Sequence, residues 1–396
     1  VPVYLEEIPL TLLGAAEELV VSPGIALDDP LIAGAVEAGA RVIGDVDLFM
    51  REARAPVIGI TGSNAKSTVT ALVGAMAQAA GLDAGVGGNL GTPALDLLAA
   101  DRQLYVLELS SFQLERAGVL GLAVAAVLNI SPDHLDRHGS MPLYHRAKHR
   151  IFRGCSKAVV NPDDPLTVPL VEAGVEQLGW RVGEPDLADF GLRHEDGREW
   201  LCHGFRRLLG VDELALTGRH NIANALAALA IGHAAGLPVQ AMLVALRGFR
   251  GLPHRCEPVA EIDGVRYVDD SKGTNTGATE AALLGLGGEH DILLIAGGQG
   301  KGADFGTLRA AVGRHCKLLL LIGEAAPELE RSLGTIVPTR RASSMDEAVR
   351  AAQAASAPGD CVLLSPACAS FDMFSGYAQR GAEFAAAVRR LEGGAG

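Results

Sequence analysis

Short apolar runs alternate along this chain with longer segments in which apolar residues recur every three or four positions. The apolar runs have the length of buried β-strands, and the longer segments have the period of amphipathic helices. The clearest strand-like runs are 57–61, 103–109, 123–130, 291–296 and 361–365. Repeated strand, turn and helix predicts parallel sheets with helices on both faces, and therefore an α/β fold.

One strand-turn-helix unit, at 57–80, has the composition of a phosphate-binding loop. Its turn and first helical turn are Gly62, Ser63, Asn64, Ala65, Lys66, Ser67 and Thr68. Small residues let backbone N–H groups approach a polyphosphate, a lysine reaches the terminal phosphates, and a hydroxyl ligates Mg²⁺. The usual pattern has glycine where this chain has Ala65, and a tight connection without a ligand remains the alternative.

Two further strand ends carry ionisable side chains. Glu108 ends the run at 103–109 among apolar neighbours, so it is either buried with a partner or the ligand of a metal ion. The run at 123–130 leads into Asp133 and His134, and the strand-end position favours contact with a metal or substrate. By its charge pattern alone, the helix predicted at 141–152 is a solvated basic face that includes Lys148.

Two polar turns could contact a ligand or serve only as connections. Ser22 and Gly24 follow a strand predicted at 18–22 and precede a helix at 29–38 and a strand at 41–43. Asn221 and Asn224 share one face at the start of a long Ala-rich helix, which suits contact with a base, ribose or phosphate. Helix capping would explain one of these two asparagines but not both.

Beyond a Gly- and Pro-containing linker at 248–253, the same pattern returns. Three predicted strands end in loops of small, polar or cationic residues at 269–276, 297–302 and 366–372. Because the carboxyl ends of the strands in a doubly wound sheet line one crevice, these loops predict an anion-binding site.

Composition narrows the possible functions. With 396 residues the chain is expected to form two or three domains. Its net charge of −13, with no long Lys/Arg cluster, argues against a nucleic-acid surface. The apolar runs are too short to span a membrane, no signal peptide is evident, and six scattered cysteines have no zinc-site spacing, so we expect a cytoplasmic protein with buried thiols.

Ten segments, taken in order, resemble the signatures of the Mur ligase family, and most closely those of its glutamate-adding members. They are ITGSNAKSTVT, VGGNLG, YVLELSSFQLE, LNISPDHLDRH, YHRAKHRIF, RHNIANALAA, GLPHRCE, VDDSKGTNTGATEAAL, AGGQGKGADF and LLSPACASFDMF. The resemblance implies a Rossmann-like uridine-nucleotide domain at 1–48, a central P-loop ATPase domain at 49–250 and a doubly wound amino-acid domain at 251–396. It further implies a monomer that uses ATP and two Mg²⁺ ions to join D-glutamate to UDP-MurNAc-L-Ala in peptidoglycan precursor synthesis.

The resemblance also implies roles for individual residues. Those for ATP are Gly62, Ser63, Asn64, Lys66, Ser67, Thr68, Asn221, Arg255 and Asp270. Those for the metal ions are Ser67, Glu108, His134 and Lys148, the last as a carbamylated lysine. Those for the UDP-substrate and D-glutamate are Ser22, Gly24, Asn89, Ser110, Lys272, Thr274, Lys301, Ser370 and Tyr377. The expected catalytic residues are Lys66, Glu108, His134 and Lys148.

Three departures from the family pattern are visible. Ala65 replaces a glycine and is expected to be tolerated if its φ is negative. Tyr377 stands where phenylalanine is more usual. The first strand and glycine turn that grip the uracil in the family have no counterpart before Val1, so we expect an incomplete nucleotide domain.

Other functions remain open at this stage. A related ligase that adds L-glutamate or another amino acid, or a folylpolyglutamate synthase, would share the ATPase half. The segments DSKGTNTGATEAAL and SPACASFD resemble those of the glutamate-adding Mur ligases instead. A nucleotide-dependent switch would not need a second anion site. A metal hydrolase built on 133–138 would leave the phosphate loop unexplained. The pattern does not distinguish D- from L-glutamate.

Overall fold

The computed structural model describes residues 8, 12–13, 15–89, 91–216 and 218–393. These residues form two compact units. The first comprises the described residues of Val1–Ile130, Arg137–Ala215 and Ala223–Phe249, and the second those of Ser131–Asp136, Leu216–Ile222 and Arg250–Gly396. The α/β fold class is confirmed. The division into three domains stays a prediction, and much of the start of its first domain lies outside the described residues.

The first unit opens with a small parallel pair of strands. Strand β1 (Glu18–Val20) pairs with β2 (Arg41–Ile43), and helix α1 (Pro30–Glu37) connects them. Asp29 caps α1, since its carboxylate accepts a 2.9 Å hydrogen bond from the backbone N–H of Leu31. Helix α2 (Asp45–Glu52) then leads into the main sheet.

The main sheet of the first unit is parallel and has the order β4-β5-β3-β6-β7-β8. Its strands are β3 (Val57–Thr61), β4 (Ala84–Gly88), β5 (Leu104–Glu108), β6 (Val124–Val127), β7 (Lys157–Val160) and β8 (Glu176–Gly179). The helices along this part of the chain are α3 (Lys66–Ala79), α4 (Ser111–Arg116), α5 (Leu135–His138), α6 (Met141–His149), α7 (Arg219–Ala234) and α8 (Val239–Gly248). An antiparallel sheet adds β9 (Phe190–Glu195), β10 (Arg198–His203) and β11 (Arg206–Gly210).

The order of this sheet places three functional strand ends side by side. Strand β3 lies between β5 and β6, with Ile60 in register with Glu108 and Thr61 in register with Val127. The chain reverses its direction of winding between β3 and β6, and open α/β sheets bind ligands at such a point. Because every residue of β3 is buried, the turn that follows it is held by a rigid strand.

The second unit contains a sheet of order β12-β13-β17-β14-β15-β16 in which only the β12–β13 pair, among the described strands, is antiparallel. The strands are β12 (Glu257–Ile262), β13 (Val265–Asp269), β14 (Ile292–Gly297), β15 (Cys316–Ile322), β16 (Thr339–Arg341) and β17 (Cys361–Leu364). The helices are α9 (Thr276–Leu286), α10 (Arg309–His315), α11 (Ala326–Leu333), α12 (Met345–Ala355) and α13 (Tyr377–Gly393).

Helices cover both faces of this second sheet. Ile292 and Leu294 of β14 belong to one buried cluster, whereas Leu293 and Ile295 belong to another. Successive side chains of a strand point to opposite faces, so a continuous apolar run is what a doubly covered strand requires. The doubly wound architecture predicted for this part of the chain is confirmed.

The predicted elements recur with small shifts at their ends. The strand expected at 123–130 is shorter, because only Val124–Val127 pairs as β6. The helix expected at 141–152 is α-helical to His149 and continues as a 3₁₀ turn over Arg150–Phe152. All six cysteines are free thiols, and all but Cys256 are buried. Among the described residues, no helix has both the length and the apolarity needed to cross a membrane.

Candidate active site

The phosphate loop predicted at 62–65 is held in place by Asn129, which follows β6. The backbone N–H of Ser63 donates to the carbonyl of Asn129 at 2.9 Å, and that of Asn64 donates to its side-chain oxygen at 2.8 Å. The Asn129 amide in turn donates to the Asn64 carbonyl at 3.2 Å. Asn129 was not among the residues predicted from the sequence, although its position at the end of the strand beside β3 was a usable signal.

Ala65 has a positive φ of 66°, in the left-handed region of the backbone. The condition under which this alanine was expected to be tolerated, a negative φ, is therefore not met. The physical reason is the turn itself, because the chain must reverse from β3 into α3 within four residues and Ala65 is the residue immediately before the helix. A Cβ in this region costs about 1–2 kcal/mol, which glycine would avoid.

The residues that begin α3 line the same loop. The Lys66 side chain donates hydrogen bonds to the carbonyls of Gly62 at 2.9 Å and Ser63 at 3.0 Å, so its charge lies within the turn. Ser67 and Thr68 are buried in the first helical turn. Helix N-termini concentrate partial positive charge and N–H donors, so this end of α3 suits an anionic ligand.

Glu108 is buried at the carboxyl end of β5, next to the phosphate loop. Its Oε1 atom accepts a 2.6 Å hydrogen bond from the side-chain amide of Asn89. Its Oε2 atom is buried and has no hydrogen-bond partner among the described residues. A buried carboxylate oxygen without a partner is costly, and oxygen ligands are what Mg²⁺ prefers, so Glu108 and the hydroxyl of Ser67 fit a magnesium ion.

Lys148 is buried, with only 1% of its surface exposed. Its nitrogen donates to the carbonyl of Gly62 at 2.7 Å and lies 4.7 Å from the centre of the Tyr144 ring. The prediction of a solvated basic face is therefore wrong for this residue. The reason is helical geometry, since Tyr144 and Lys148 are four residues apart and face the loop together, a direction that charge pattern alone does not reveal.

Arg116, the last residue of α4, holds the Ser22–Gly24 turn by hydrogen bonds. The Arg116 guanidinium donates to the carbonyls of Val21, Ser22 and Ile25. At the other end of the same helix, Ser110 is the cap, and its hydroxyl accepts a 3.2 Å hydrogen bond from the N–H of Gln113. Two residues predicted for the UDP-substrate, Ser22 and Ser110, are thus fixed at opposite ends of one helix.

His134 and Asn221 are placed in the second unit, whereas Lys148 and Glu108 lie in the first. His134 has a φ of 54°, and its backbone N–H donates to the Asp133 carboxylate at 3.0 Å. The other carboxylate oxygen of Asp133 accepts from the Asn275 amide at 3.0 Å, which fixes the segment that carries His134. A shared metal site for His134 and Lys148 stays a prediction.

The three polar loops of the second unit follow β13, β17 and β14, which are neighbours in the sheet. The three loops therefore lie at adjacent strand ends, and the anion-binding crevice stays a prediction. The Lys272 nitrogen lies 3.8 Å from the centre of the Tyr377 ring, close enough for a cation–π interaction. The remaining residues predicted to bind D-glutamate, which are Thr274, Lys301 and Ser370, lie in these same loops.

Asp270 is a buried carboxyl group beside this crevice. Burial raises its pKa to about 7, although hydrogen bonds to Asp270 and the nearby Arg255 charge act in the opposite direction. The donors are the Ser365 hydroxyl at 2.7 Å and the Cys256 N–H at 3.2 Å. Burial therefore makes the Asp270 carboxyl group harder to ionise than an exposed aspartate.

Two protein family models match this chain, and together they cover parts of both units. The family described as Mur ligase middle domain matches residues 60–232, and the family described as Mur ligase, glutamate ligase domain, matches residues 254–368. The first match contains the phosphate loop, Glu108 and Lys148, and the second contains Asp270, Lys272, the loop at 297–302 and the start of the loop at 366–372.

Several solved structures share the fold. A MurF ligase from Acinetobacter baumannii superposes with a TM-score of 0.67 at 19% identity, covering 90% of this chain and 87% of its own. A pseudomurein peptide ligase type C from Methanothermus fervidus superposes with a TM-score of 0.66 at 17% identity, covering 90% and 85%. At these identities the likeness establishes the fold alone.

Curated proteins give a closer relationship. A UDP-N-acetylmuramoylalanine--D-glutamate ligase from Pseudomonas aeruginosa is 55% identical over 97% of this chain and 86% of its own length. The enzyme of the same name from Marinobacter nauticus is 53% identical over 99% of this chain and 88% of its own. The chain therefore belongs to the Mur ligase family, in its group of UDP-N-acetylmuramoylalanine--D-glutamate ligases.

Proposed function

We propose that this chain uses ATP to add D-glutamate to UDP-N-acetylmuramoyl-L-alanine, as a cytoplasmic step in the synthesis of peptidoglycan precursors. The observation that carries the proposal is the phosphate loop beside Glu108, whose buried Oε2 atom has no partner among the described residues. Relatives that are 53–55% identical carry the name of this activity. The terminal carboxylate of UDP-N-acetylmuramoyl-L-alanine is a poor electrophile. Its phosphorylation by ATP gives an acyl phosphate, from which phosphate can leave.

The first unit holds the groups for phosphoryl transfer. Backbone N–H groups at the start of α3 and the Lys66 ammonium bind the phosphates, and Asn129 keeps the loop in shape. Magnesium, when bound, offsets the charge of the phosphates and would be held by Ser67 and Glu108. We further propose that His134 ligates a metal ion, and that Lys148 becomes carbamylated and ligates a metal ion as well, because a lysine ammonium has no lone pair for a cation whereas a carbamate oxygen has one.

The second unit holds the groups for the amino acid. Cationic and hydroxyl groups at three adjacent strand ends bind the two carboxylates of D-glutamate, and these groups belong to Lys272, Thr274, Lys301 and Ser370. Tyr377 supports the Lys272 ammonium with its ring. The amine of the bound D-glutamate then displaces phosphate from the acyl phosphate, which forms the amide bond. We further propose that the enzyme acts as a monomer of three domains at 1–48, 49–250 and 251–396.

Phosphate release from ATP tests this proposal directly. The purified chain should release phosphate only when UDP-MurNAc-L-Ala and D-glutamate are both present with Mg²⁺. Lys66→Ala should abolish the release, whereas Lys157→Ala, at a half-exposed ion pair with Glu176 in the same unit, should not. Release that does not depend on the amino acid would overturn the ligase proposal, and release with L- but not D-glutamate would redirect it to another substrate.

A further inference from the structure

Arg380, on helix α13, is fully buried and binds three separate loops. Its guanidinium donates to the carbonyl and hydroxyl oxygens of Ser271, at 2.8 and 3.0 Å, in the loop after β13. It also donates to the carbonyls of Cys368 and Ala369, at 3.1 and 3.3 Å, after β17, and to that of Gly297, at 3.4 Å, at the end of β14. One side chain therefore links the ends of three adjacent strands.

The Arg380 charge is held by neutral oxygens. Within the described part of the chain, the hydrogen-bond acceptors of its guanidinium are four backbone carbonyls and one hydroxyl, and no carboxylate forms an ion pair with it. Burial lowers the pKa of Arg380 to about 10, so the group is still protonated at neutral pH. A buried charge is less favourable than a well-packed apolar side chain of similar volume, so stability alone does not account for an arginine here.

Ser271 transmits this constraint to the predicted substrate residues. Its hydroxyl accepts from Arg380 and donates to the Tyr377 carbonyl at 2.8 Å, and Ser271 itself is fully buried. The next residue is Lys272, whose nitrogen lies over the Tyr377 ring. Arg380 and Ser271 thus fix the loop that carries Lys272 against the helix that carries Tyr377.

The other loops are fixed by the same guanidinium. Ser370 directly follows Ala369, one of the carbonyls that Arg380 binds. The loop that contains Lys301 begins at Gly298, where a Cβ would lie 2.1 Å from the Ala369 carbonyl oxygen, so the two loops touch through their backbones. Recognition of two carboxylates on one small molecule requires donors from separate loops to keep a fixed spacing.

We propose that Arg380 is a positioning residue for the amino-acid substrate, acting through Ser271 and the carbonyls of the crevice loops rather than by touching the substrate. The inference rests on the proposed function, because it concerns the groups assigned to D-glutamate. An arginine suits this task because its planar fork donates in several fixed directions, which lysine cannot reproduce.

The test compares Arg380→Lys and Ser271→Ala with the control Phe384→Leu, a change at a fully buried residue of the same helix that belongs to the apolar cluster with Val388. Loss of one or two aligned hydrogen bonds should raise the KM for D-glutamate about tenfold in each of the first two variants. The KM for UDP-MurNAc-L-Ala, whose predicted contacts all lie in the first unit, should change less than about twofold. Phe384→Leu should lower the Tm and leave the KM for D-glutamate unchanged.

Each result is decisive. An unchanged KM for D-glutamate in Arg380→Lys and Ser271→Ala would overturn the inference, as would an equal rise in Phe384→Leu, which would make Arg380 merely structural. If Arg380→Lys does not fold, Ser271→Ala decides, because a buried hydroxyl can be removed without introducing a larger group. A wild-type chain that turns over without D-glutamate would overturn the proposed function, and this inference with it.

Discussion

The side-chain nitrogen of Lys148 donates a 2.7 Å hydrogen bond to the backbone carbonyl of Gly62, the first residue of the phosphate loop. Tyr144, one turn earlier on α6, reaches the same loop, since its hydroxyl lies 3.0 Å from that of Ser63. Helix α6 therefore supports the loop in addition to Asn129. Buried ionisable side chains cluster at functional sites, so the position of Lys148 beside the phosphate loop makes it a candidate catalytic residue.

Lys148→Ala should abolish D-glutamate-dependent phosphate release, because the variant lacks both the contact to Gly62 and the amine that carbamylation requires. A short carboxylate such as acetate should restore part of the activity if a carbamate is the working group. His145→Ala, three positions before Lys148 on the same helix and only half-buried, serves as the control. Wild-type activity in Lys148→Ala would contradict a catalytic role for Lys148. Loss of activity that acetate does not rescue would mean that Lys148 only supports the loop.

Glu108→Gln should remove the stabilisation that Mg²⁺ and ATP give to the protein. In the wild type, Mg²⁺ bound to the buried Oε2 atom should raise the Tm, because a ligand that binds only the folded state stabilises it. Without Mg²⁺ the variant should be at least as stable as the wild type, since it no longer buries an unpartnered charge. Thermal unfolding with and without Mg²⁺ measures both effects.

The control for Glu108 is Glu176→Gln, at an exposed ion pair in the same unit, which should keep the normal response to Mg²⁺. A Mg²⁺-dependent rise in Tm that is equal in wild type and Glu108→Gln would show that Glu108 does not hold the ion.

Asn129→Ala should raise the KM for ATP by about 10- to 100-fold. Its half-buried side chain makes two hydrogen bonds to Asn64, and the loss of both costs about 1–3 kcal/mol. Steady-state kinetics with varied ATP gives the measurement. Asn161→Ala, in a turn after β7, removes a similar side chain elsewhere in the unit and should leave the KM for ATP near the wild-type value. An unchanged KM in Asn129→Ala would mean that the loop keeps its shape without it.

Ala65→Gly should stabilise the protein, although replacing alanine by glycine usually lowers the free energy of unfolding. Relief of the positive φ gains about 1–2 kcal/mol, and the added freedom of the unfolded chain costs about 0.5–1 kcal/mol. Chemical denaturation should therefore show a net gain of about 1 kcal/mol. Ala71→Gly, inside α3, should instead lose about 1 kcal/mol. A loss of the same size in both variants would show that the Ala65 backbone is not strained.

Asp270→Asn should change how stability depends on pH. Burial raises the pKa of Asp270 to about 7 from an unfolded value near 3.8, so the folded chain keeps this proton when the unfolded chain has lost it. Wild-type stability should thus fall as pH rises from about 4 to about 7, and Asp270 should contribute no further change above that range. The charged and titratable groups around Asp270 are Arg255, Cys256 and Asp269, and burial also raises the pKa of Asp269.

Thermal unfolding of wild type and Asp270→Asn across this range gives the test. The Tm of the variant should rise relative to that of the wild type between pH 5 and pH 8, and Asp291→Asn, just before β14, should follow the wild type. Parallel profiles for wild type and Asp270→Asn would mean that Asp270 ionises in the folded protein as easily as in the unfolded chain.

Local pattern was sufficient to predict the framework of the site. The strand at Val57–Thr61, the helix from Lys66 and the carboxylate at the end of β5 all follow from periodicity and turn composition, which depend on neighbours in the sequence. The crevice of the second unit was predictable for the same reason, because parallel strands place their carboxyl ends at one edge.

The sequence by itself therefore determined which segments become strands, turns and helices, and which strand ends carry chemistry. Only the tertiary structure decided that Lys148 is buried against Gly62, that Ala65 takes a positive φ, and that Asn129, Arg116 and Arg380 hold the loops. The contacts of Lys148, Asn129, Arg116 and Arg380 join residues that are far apart along the chain, 86 residues for Lys148 and Gly62 and 109 for Arg380 and Ser271. The φ of Ala65 follows from how tightly β3 and α3 are joined. No local pattern of apolar and charged positions encodes which distant carbonyl a buried cation will meet.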